Sequence, residues 1–477
     1  MRLLNKIIRL PSLFLIIILL IAFVLRVNNL NYNSPFLDEA MHIKLGKKVL
    51  ADSWAEEAPF SWVGGLPLFY PRLSAYAYKV GGILGSRFLN VLLGTFSVYL
   101  FYLLTKLLYL TDENENNEYI AGFSALLLSI LAVPVFLSRL AVYDMLSFTL
   151  FLASLLFLQK ALVIIKPILW QRENYFFASF IFLFTSFLAK YTTIIYVPLF
   201  SFWAFFQSKK KGRFVLHRSL KYFILPLTVS ILLYLGWNFD SLRQFLANQF
   251  NEPTDQSFAI INEFLDFTLV LLPFSFLGLS LLFIKGHRNI LLLTLGILIV
   301  PVFHLLTNNL SSLYQHVFLS LIFLIPPLTF LLSRIGSKGA YFIKMSAALL
   351  ILILVFFRSQ SQIKNLETSW TNSNSVMEFL KNNSNKNDII LSSEDDITDL
   401  ALPDTPSENI NGFWSLDYQD KKDEEAYSRA ILDGYFNLIL LNEKSSAKNL
   451  KIVTESINER YQLIYDSSPF KVYRLII

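Results

Sequence analysis

Residues 137–157 read LSRLAVYDMLSFTLFLASLLF, an apolar run that opens with one arginine and one aspartate. A helix needs about 20 mostly apolar residues to cross the hydrocarbon core of a bilayer, and residues 143–164 supply them. Charged side chains are costly inside such a helix, so Arg139 and Asp144 are expected near a membrane surface. The stretch therefore predicts a membrane-spanning helix with a polar site at one end.

The rest of the chain repeats this pattern, and the composition agrees with it. Further apolar runs lie at 11–28, 82–110, 119–138, 174–189, 191–207, 221–237, 265–285, 289–306, 313–333 and 341–357. Only 16% of the residues are charged, against about 25% in soluble domains, and the mean hydropathy is +0.50. The sequence predicts a polytopic α-helical membrane protein of about 11 helices and excludes a soluble enzyme, a disordered chain and a nucleic-acid binder.

Basic residues between the runs predict the orientation, because cytoplasmic loops are enriched in Lys and Arg. Such residues precede the first run (Arg2, Lys6 and Arg9) and fill the segments 166–172, 208–218, 285–288 and 333–344. The acidic segment 111–118 departs from this pattern. We expect a multi-pass protein of the plasma or inner membrane, with a cytoplasmic N-terminus and an extracytoplasmic C-terminal domain.

The last 120 residues differ in charge and in pattern from the rest. Residues 358–477 carry 13 basic and 19 acidic groups, whereas residues 1–357 carry 28 and 16. Helix-like segments (375–382, 422–432, 445–459) alternate there with strand-like ones (388–393, 436–441, 461–466, 470–475), which is typical of a small α/β domain. We therefore predict a transmembrane catalytic domain, 1–357, with a first outer loop at 29–80, and a soluble domain, 358–477, without chemistry of its own. The chain has no cysteine, so it forms no disulfide.

Acidic candidates lie at two places on the predicted outer side. Asp38 and Glu39 follow the first run in SPFLDEAMH, and Asp144 opens the fourth. Adjacent carboxylates can divide labour, with one accepting a proton while the other positions a substrate or an ion. The alternatives are a solvated loop pair for Asp38 and Glu39, and for Asp144 a favourable contact with the helix dipole.

Basic candidates lie on the same predicted side. They are Lys190, which interrupts the apolar stretch FLAKYTTIIYVP, together with Arg72, Arg87, Arg139 and His316. A snorkelling lysine and a structural histidine are the simpler interpretations. Taken together, outer acids and cations suit a lipid-linked phosphate, because cations stabilise a phosphate leaving group and a carboxylate can deprotonate an attacking hydroxyl.

Several segments, in order, carry a resemblance to a known family. They are LDEA (37–40), GGLPLFYPRLSAYAYKVGGILGSRFLNVLLGTFSVYLFY (64–102), the stretch 137–157, LFTSFLAKYTTIIYVPL (183–199) and the closing YDSSPFKVYRL (465–475). The chain resembles the polytopic lipid-phosphate-sugar glycosyltransferases of the GT-C fold class. It looks most similar to protein O-mannosyltransferases and to the bacterial transferases that add aminoarabinose to lipid A.

This resemblance implies a polyprenyl-phosphate sugar as the donor, rather than a nucleotide sugar. It also implies that Asp38 is the general base, with inversion at the anomeric carbon, and that Asp144 shapes the acceptor side. Lys190 and the outer arginines then contact the donor phosphate. His316 departs from the family pattern, which often has a permanently basic residue there. Asp38, Glu39 and Asp144 offer oxygen ligands to Mg²⁺ or Mn²⁺, but no spacing requires a metal, and metal dependence stays open.

The expected activity is transfer of a sugar, for example a hexose such as mannose, to a protein, lipid or glycan acceptor outside the cytoplasm. A transporter or flippase for lipid-linked sugars is the first alternative, although no internal repeat is found and the acids gather at one face. The second is a scaffold whose C-terminal domain binds a partner. In that case substitution of Asp38 would have no effect.

Overall fold

The computed structural model describes residues 13–54, 58–109, 117–164, 170–249, 255–334 and 341–476. Arg2, Lys6 and Arg9 lie outside the described residues, as do residues 111–116, 166–169 and 335–340 of the predicted loops 111–118, 166–172 and 333–344. The chain divides into two compact units. The membrane unit comprises residues 1–30 and 49–366, and the tail unit comprises residues 31–48 and 367–477.

The membrane unit is built of helices, and each of the eleven predicted runs contains at least one. The α-helices are Leu13–Val27, Tyr70–Leu108, Asn117–Ile130, Ala132–Leu137, Asp144–Val163, Gln171–Ala189, Val197–Lys210, Arg213–Ser219, Leu225–Trp237, Phe239–Gln249, Ser257–Thr268, Leu272–Ile284, Ile290–Thr307, Leu313–Arg334 and Tyr341–Glu367. Short 3₁₀ turns at Pro59–Ser61 and Tyr191–Tyr196, and a π turn at Leu220–Ile224, complete the unit. The prediction of a helical membrane protein is confirmed.

The predicted count of eleven spans is not confirmed. Among the described residues, six helices are long and apolar enough to cross a bilayer, or seven if Ser257–Thr268 and Leu272–Ile284, bent by 80°, form one span. Several predicted runs fold as shorter pieces. The run 119–138 divides at Leu131, whose backbone is extended, and the run 191–207 begins with a 3₁₀ turn.

The predicted outer loop 29–80 contains regular structure that hydropathy did not show. A helix occupies Leu37–Leu50, and the helix predicted to begin at 82 begins at Tyr70. Pro71 in its first turn suits a helix start, because the ring presets φ and the missing N–H needs no partner there. The helix kinks at Gly81 and Gly82, where Gly82 has a φ of 59°, a value that favours glycine.

Arg26 joins the first helix to its neighbours in the membrane unit. Its guanidinium is fully buried and donates to the carbonyls of Ser129 and Leu128, to that of Ala22 and to the hydroxyl of Ser138. Ser129 and Leu128 lie in the last turn of their helix, where carbonyls have no partner within the helix. The buried charge and the unpaired carbonyls therefore satisfy each other, in a region where water is scarce.

The helix Leu313–Arg334 is the most enclosed of the candidate spans, because 94% of its apolar 18-residue stretch is buried. Neighbouring helices approach it closely at glycines. A Cβ atom added at Gly278 would lie 2.0 Å from the carbonyl oxygen of Pro327, and one added at Gly296 would lie 2.4 Å from the ring of Phe323. Small residues at such contacts let helices pack backbone to backbone.

We expect Gly278→Ala to lower the stability of the protein, because the new methyl group meets backbone that cannot move aside. Overpacking of this kind costs about 1–3 kcal/mol. Gly236→Ala is the matched control, since a Cβ at Gly236, also within a helix, meets nothing within 4 Å. Thermal unfolding in detergent measures both, and equal midpoints for the two variants would contradict the close contact.

The tail unit is a small α/β domain, as predicted. Its strands are β1 Ile390–Ser392, β2 Ile410–Asn411, β3 Asp417–Tyr418, β4 Lys421–Lys422, β5 Leu438–Asn442, β6 Tyr461–Ser467 and β7 Phe470–Leu475. Its helices are Asn374–Asn383, Asp395–Ala401, Asp423–Asp433 and Leu450–Ser456, with a 3₁₀ turn at Ser407–Asn409. The main sheet has the order β2-β1-β5-β7-β6, in which β1 is parallel to β2 and β5 while β7 is antiparallel to β5 and β6.

The boundary of this unit differs from the predicted one at 358. The helix Tyr341–Glu367 continues past the end of the apolar run, because the polar residues that follow also favour a helix. The unit also includes residues 31–48, which hydropathy assigned to an outer loop of the transmembrane domain. Most of the helix Leu37–Leu50 is thus part of the tail unit.

Candidate functional site

Lys190 lies at a break between two helical segments of the membrane unit. Its backbone is extended, between the helix Gln171–Ala189 and the 3₁₀ turn Tyr191–Tyr196. The segment around Gly65 pairs with this break: the N–H of Tyr191 donates to the carbonyl of Gly64, and the N–H of Leu66 donates to that of Leu188. A Cβ at Gly65 would lie 2.3 Å from the carbonyl oxygen of Ala189, so this pairing requires glycine.

The ammonium of Lys190 forms a buried ion pair with Asp144. Its Nζ lies 2.6 Å from Oδ1 of Asp144, and the two side chains are 6% and 1% exposed. Nζ also donates to Oε1 of Gln315 at 3.1 Å and lies 5.1 Å from the ring centre of Tyr143. Asp144 is the first residue of its helix, where the dipole favours a negative charge.

The pair leaves hydrogen-bonding capacity unused. An ammonium has three N–H donors, and the described contacts of Lys190 use two of them. Within the described residues, Oδ2 of Asp144 is buried and accepts no hydrogen bond. A buried acceptor without a partner is costly. The site therefore has one donor and one acceptor with which to bind a polar ligand.

His316 belongs to a chain of hydrogen bonds beside this pair. Nδ1 of His304 contacts the carbonyl oxygen of Asn309, which can only accept, so this nitrogen carries the proton. In a neutral His304, Nε2 then accepts from Nδ1 of His316 at 2.9 Å, and Nε2 of His316 accepts from the hydroxyl of Thr192 at 3.0 Å. Both ring nitrogens of His316 are engaged, so in this arrangement the ring orients Thr192.

The predicted arginines differ in their surroundings. Arg139 donates through Nε and Nη2 to the carbonyl of Leu25, and Arg87 donates through Nη1 to that of Leu30. Both are buried, and these contacts hold the end of the first helix and the residues after it. Arg72, in the first turn of the helix Tyr70–Leu108, is exposed.

Asp38 and Glu39 lie in the tail unit, in the first turn of the helix Leu37–Leu50. The structure therefore places the predicted acids in two units, with Asp144 in the other. Oε2 of Glu39 accepts the backbone N–H of Phe36 at 2.8 Å, and Glu39 is fully buried. Glu39 thus caps the helix from its third position, while the side chain of Asp38 is half-buried.

An apolar cavity of about 500 Å³ adjoins the hairpin that contains Lys190. It is lined by Phe60, Leu66, Phe184, Ser230, Leu233, Tyr234, Trp237 and Asn238. The hydroxyl of Tyr234 lies 2.6 Å from that of Tyr191, the residue after Lys190. Aliphatic and aromatic walls of this kind suit a hydrocarbon chain.

Within the described residues, no group of three or more His, Asp or Glu side chains is arranged to hold a metal ion. Of the three acids considered as metal ligands, Asp144 belongs to the membrane unit and Asp38 and Glu39 belong to the tail unit.

Several residues of the Lys190 site were not identified from the sequence. Gln315, Thr192 and His304 each contact Lys190 or His316. All three are polar residues in or beside apolar runs, and this is the feature of the sequence that could have identified them. Gln315 precedes His316, and Thr192 follows Lys190 by two positions. Both therefore lie next to residues that the sequence already marks as candidates.

We expect Lys190→Met and Asp144→Asn each to destabilise the protein, since each leaves the partner buried without its charge partner. Loss of one partner from a buried pair costs about 3–5 kcal/mol. The double variant Asp144→Asn/Lys190→Met should lose less than the sum of the single losses. Thermal unfolding in detergent of the wild type, the two single variants and the double variant gives this double-mutant cycle.

The exposed pair Lys421–Glu425 in the tail unit is the control, and Lys421→Met should produce no measurable shift. Strictly additive losses at Lys190 and Asp144 would show that the two side chains are not coupled.

Known structures share this architecture over nearly the whole chain. ArnT from Cupriavidus metallidurans matches with a TM-score of 0.66 in its apo state and 0.59 when bound to undecaprenyl phosphate, at 11% and 12% identity, with 97% of each chain covered. AglB, the oligosaccharyltransferase of Archaeoglobus fulgidus, in complex with an inhibitory peptide and a dolichol-phosphate, matches with a TM-score of 0.59 at 13% identity. That match covers 93% of this chain and 70% of AglB.

These similarities establish the fold. ArnT, a lipid A aminoarabinose transferase, and AglB both have the GT-C fold, which confirms the expectation from the sequence resemblance. No family model matches the sequence, and no curated protein matches it significantly.

Proposed function

We propose that the protein is an inverting glycosyltransferase that moves a sugar from a polyprenyl phosphate to an acceptor outside the cytoplasm. The observation that carries the proposal is the buried Lys190–Asp144 pair, which has an unused donor and an unused acceptor. Tyr191, the residue after Lys190, contacts Tyr234 in the lining of an apolar cavity. A phosphate attached to a hydrocarbon chain needs both a cation and an apolar surface. The shared fold supports the proposal, since ArnT is seen with undecaprenyl phosphate and AglB with a dolichol-phosphate.

On this proposal, Lys190 contacts the donor phosphate through its remaining N–H. Asp144 and Gln315 hold the ammonium in place, and the charge stabilises the phosphate as it leaves. The hydroxyl of Thr192, two residues further along the chain, donates its proton to His316 and therefore offers this site an acceptor and no further donor. Arg139 and Arg87 fix the end of the first helix, and the exposed Arg72 adds positive charge near the start of its helix.

In the proposed chemical step, Asp38 is the general base. Its carboxylate takes the proton of an acceptor hydroxyl while that oxygen forms a bond to the anomeric carbon of the sugar. The bond from this carbon to the phosphate oxygen breaks, its electron pair leaves with the polyprenyl phosphate, and the anomeric configuration inverts. Glu39 keeps the first turn of the helix intact, so that Asp38 stays at a defined position.

The finer assignments follow the sequence resemblance. The donor sugar is a hexose such as mannose, and the acceptor is a protein, a lipid or a glycan. The N-terminus lies in the cytoplasm and the tail unit on the opposite side of the plasma or inner membrane, where the basic loops of the membrane unit predict it.

A flippase for lipid-linked sugars is the second candidate, because it would also need a cation beside an apolar cavity. Such a protein would bind the donor and release it unchanged. It would have no use for a general base, and substitution of Asp38 would leave its activity intact. Chemistry at the sugar therefore separates the two functions.

We expect the purified protein to release polyprenyl phosphate from a polyprenyl-phosphate sugar, with mannose as the first of a panel and a membrane extract as the acceptor source. Asp38→Asn should lower kcat by about 10²–10⁴-fold, the contribution of a general base, and leave donor binding unchanged. Lys190→Gln should instead weaken donor binding. Turnover and binding of a radiolabelled donor measure the two effects.

Asp52→Asn is the matched control, because Asp52 is an exposed aspartate with a φ of 57°, a backbone conformation that asparagine also tolerates. Equal turnover in Asp38→Asn and wild type would exclude Asp38 as the base. Binding of a lipid-linked sugar without any turnover would favour the flippase.

A further inference from the structure

Residues 31–36 form a joint with residues 367–373, although Asn33 and Glu367 are 334 positions apart in the sequence. Both belong to the tail unit, and the helix that contains Asp38 begins immediately after the first of them. The second follows the helix Tyr341–Glu367 directly. The joint therefore lies immediately before the first turn of the helix Leu37–Leu50.

Trp370 is the centre of this joint. Its indole N–H donates to the carbonyl of Ser34 at 3.2 Å. Its ring centre lies 5.7 Å from that of Tyr32 and 5.1 Å from that of Phe36, with the planes inclined by 76° and 57°. These separations and angles are those of favourable edge-to-face and tilted aromatic pairs. One side chain thus contacts three of the residues that precede Asp38.

Hydrogen bonds to the backbone surround the aromatic contacts. Nδ2 of Asn33 donates to the carbonyls of Glu367 and Trp370, at 3.0 and 3.1 Å, and its Oδ1 accepts the N–H of Ser34. The hydroxyl of Ser34 accepts the N–H of Ser373 at 3.1 Å. Asn33 and Ser34 are buried, and a buried polar network of this kind favours one geometry because any other leaves polar groups unpaired.

Lys44 provides a second attachment, further along the same helix. Its Nζ lies 2.9 Å from Oδ1 of Asp396 and 3.8 Å from Oδ2 of Asp395, in the first turn of the helix Asp395–Ala401. Burial lowers the pKa of Lys44, but the neighbouring carboxylates outweigh it and raise the pKa above its ordinary value. The side chain is therefore a cation at neutral pH. Lys44 follows Asp38 by six residues, or about 9 Å along a helix axis.

We propose that the joint centred on Trp370 positions Asp38 for transfer, which makes Trp370 a positioning residue of the reaction. The inference rests on the proposed function, in which Asp38 is the general base. The tail unit then contributes to catalysis itself, beyond any selection of the acceptor. A displacement of about 1 Å at a reacting group can cost on the order of 10²-fold in rate, so a loosened joint should be detectable in kcat.

The experiment compares wild type with Trp370→Ala, Trp370→Phe and Trp414→Ala in the full-length protein. Trp414 is the control, because it is a tryptophan of the same unit with 53% of its surface exposed. Amide hydrogen exchange of residues 37–48 reports whether the helix is held. Steady-state transfer from the lipid-linked sugar reports kcat and the KM for the donor.

We expect Trp370→Ala to raise exchange in residues 37–48 by about 10-fold or more and to lower kcat by about 10–100-fold. The KM for the donor should stay within about twofold, because donor contacts are assigned to residues of the membrane unit. Trp370→Phe, which keeps a ring but loses the indole N–H, should lie between wild type and Trp370→Ala. Trp414→Ala should resemble wild type.

Two results would overturn the proposal. Unchanged exchange in Trp370→Ala would show that the joint does not hold the helix, and raised exchange with unchanged kcat would show that Asp38 needs no such positioning. If Trp370→Ala fails to fold, Trp370→Phe and Lys44→Gln are judged by the same two criteria. Absence of transfer in wild type would overturn the proposed function, and with it the catalytic role of the joint, while exchange would still report separately on the joint.

Discussion

The contact between Lys190 and Asp144 is the interaction on which the membrane unit's site depends. Two opposite charges are held away from water, at the break between two helical segments and at the first turn of a third. Neither charge would tolerate burial alone. The backbone pairing around Gly65, the side-chain oxygen Oε1 of Gln315 and the ring of Tyr143 surround this pair. The stability of the membrane unit and the proposed binding of the donor phosphate therefore depend on the same pair.

Three buried arginines of the membrane unit also need partners for their buried charges, and these contacts join helices. Arg26 and Arg139 donate to backbone carbonyls in the last turns of helices, which have no partner within their own helices, and Arg87 donates to the carbonyl of Leu30 just after the first helix. In a bilayer, a guanidinium with five donors can satisfy several such carbonyls at once. A sequence marks all three simply as arginines near apolar runs. Which carbonyls each arginine contacts depends on where helix ends meet, and only the structure shows this.

The helical fold and the α/β tail could be predicted from the sequence because hydropathy and alternation report burial directly. Short amphipathic helices are expected in the first outer loop, but the bounds of the helix Leu37–Leu50 could not be predicted, since its residues are mixed in polarity and its ion-pair partner Asp396 lies more than 300 positions away. The same limit applies to the site. Lys190 and Asp144 stand out in the sequence as charges beside apolar runs. Their pairing across 46 positions depends on the tertiary structure. The structural role of Glu39 required the helix start at Leu37 to be known.

The joint between residues 31–36 and 367–373 has a consequence for biosynthesis. Asn33 and Glu367 are separated by 334 positions, and a ribosome adds about 5–20 residues per second. The segment around Asp38 therefore leaves the ribosome roughly 20–70 s before its partner exists. During that interval the segment around Asp38 has no partner segment to join, and a chain interrupted before Glu367 never acquires one. Completion of synthesis thus becomes a condition for assembling the helix that contains Asp38.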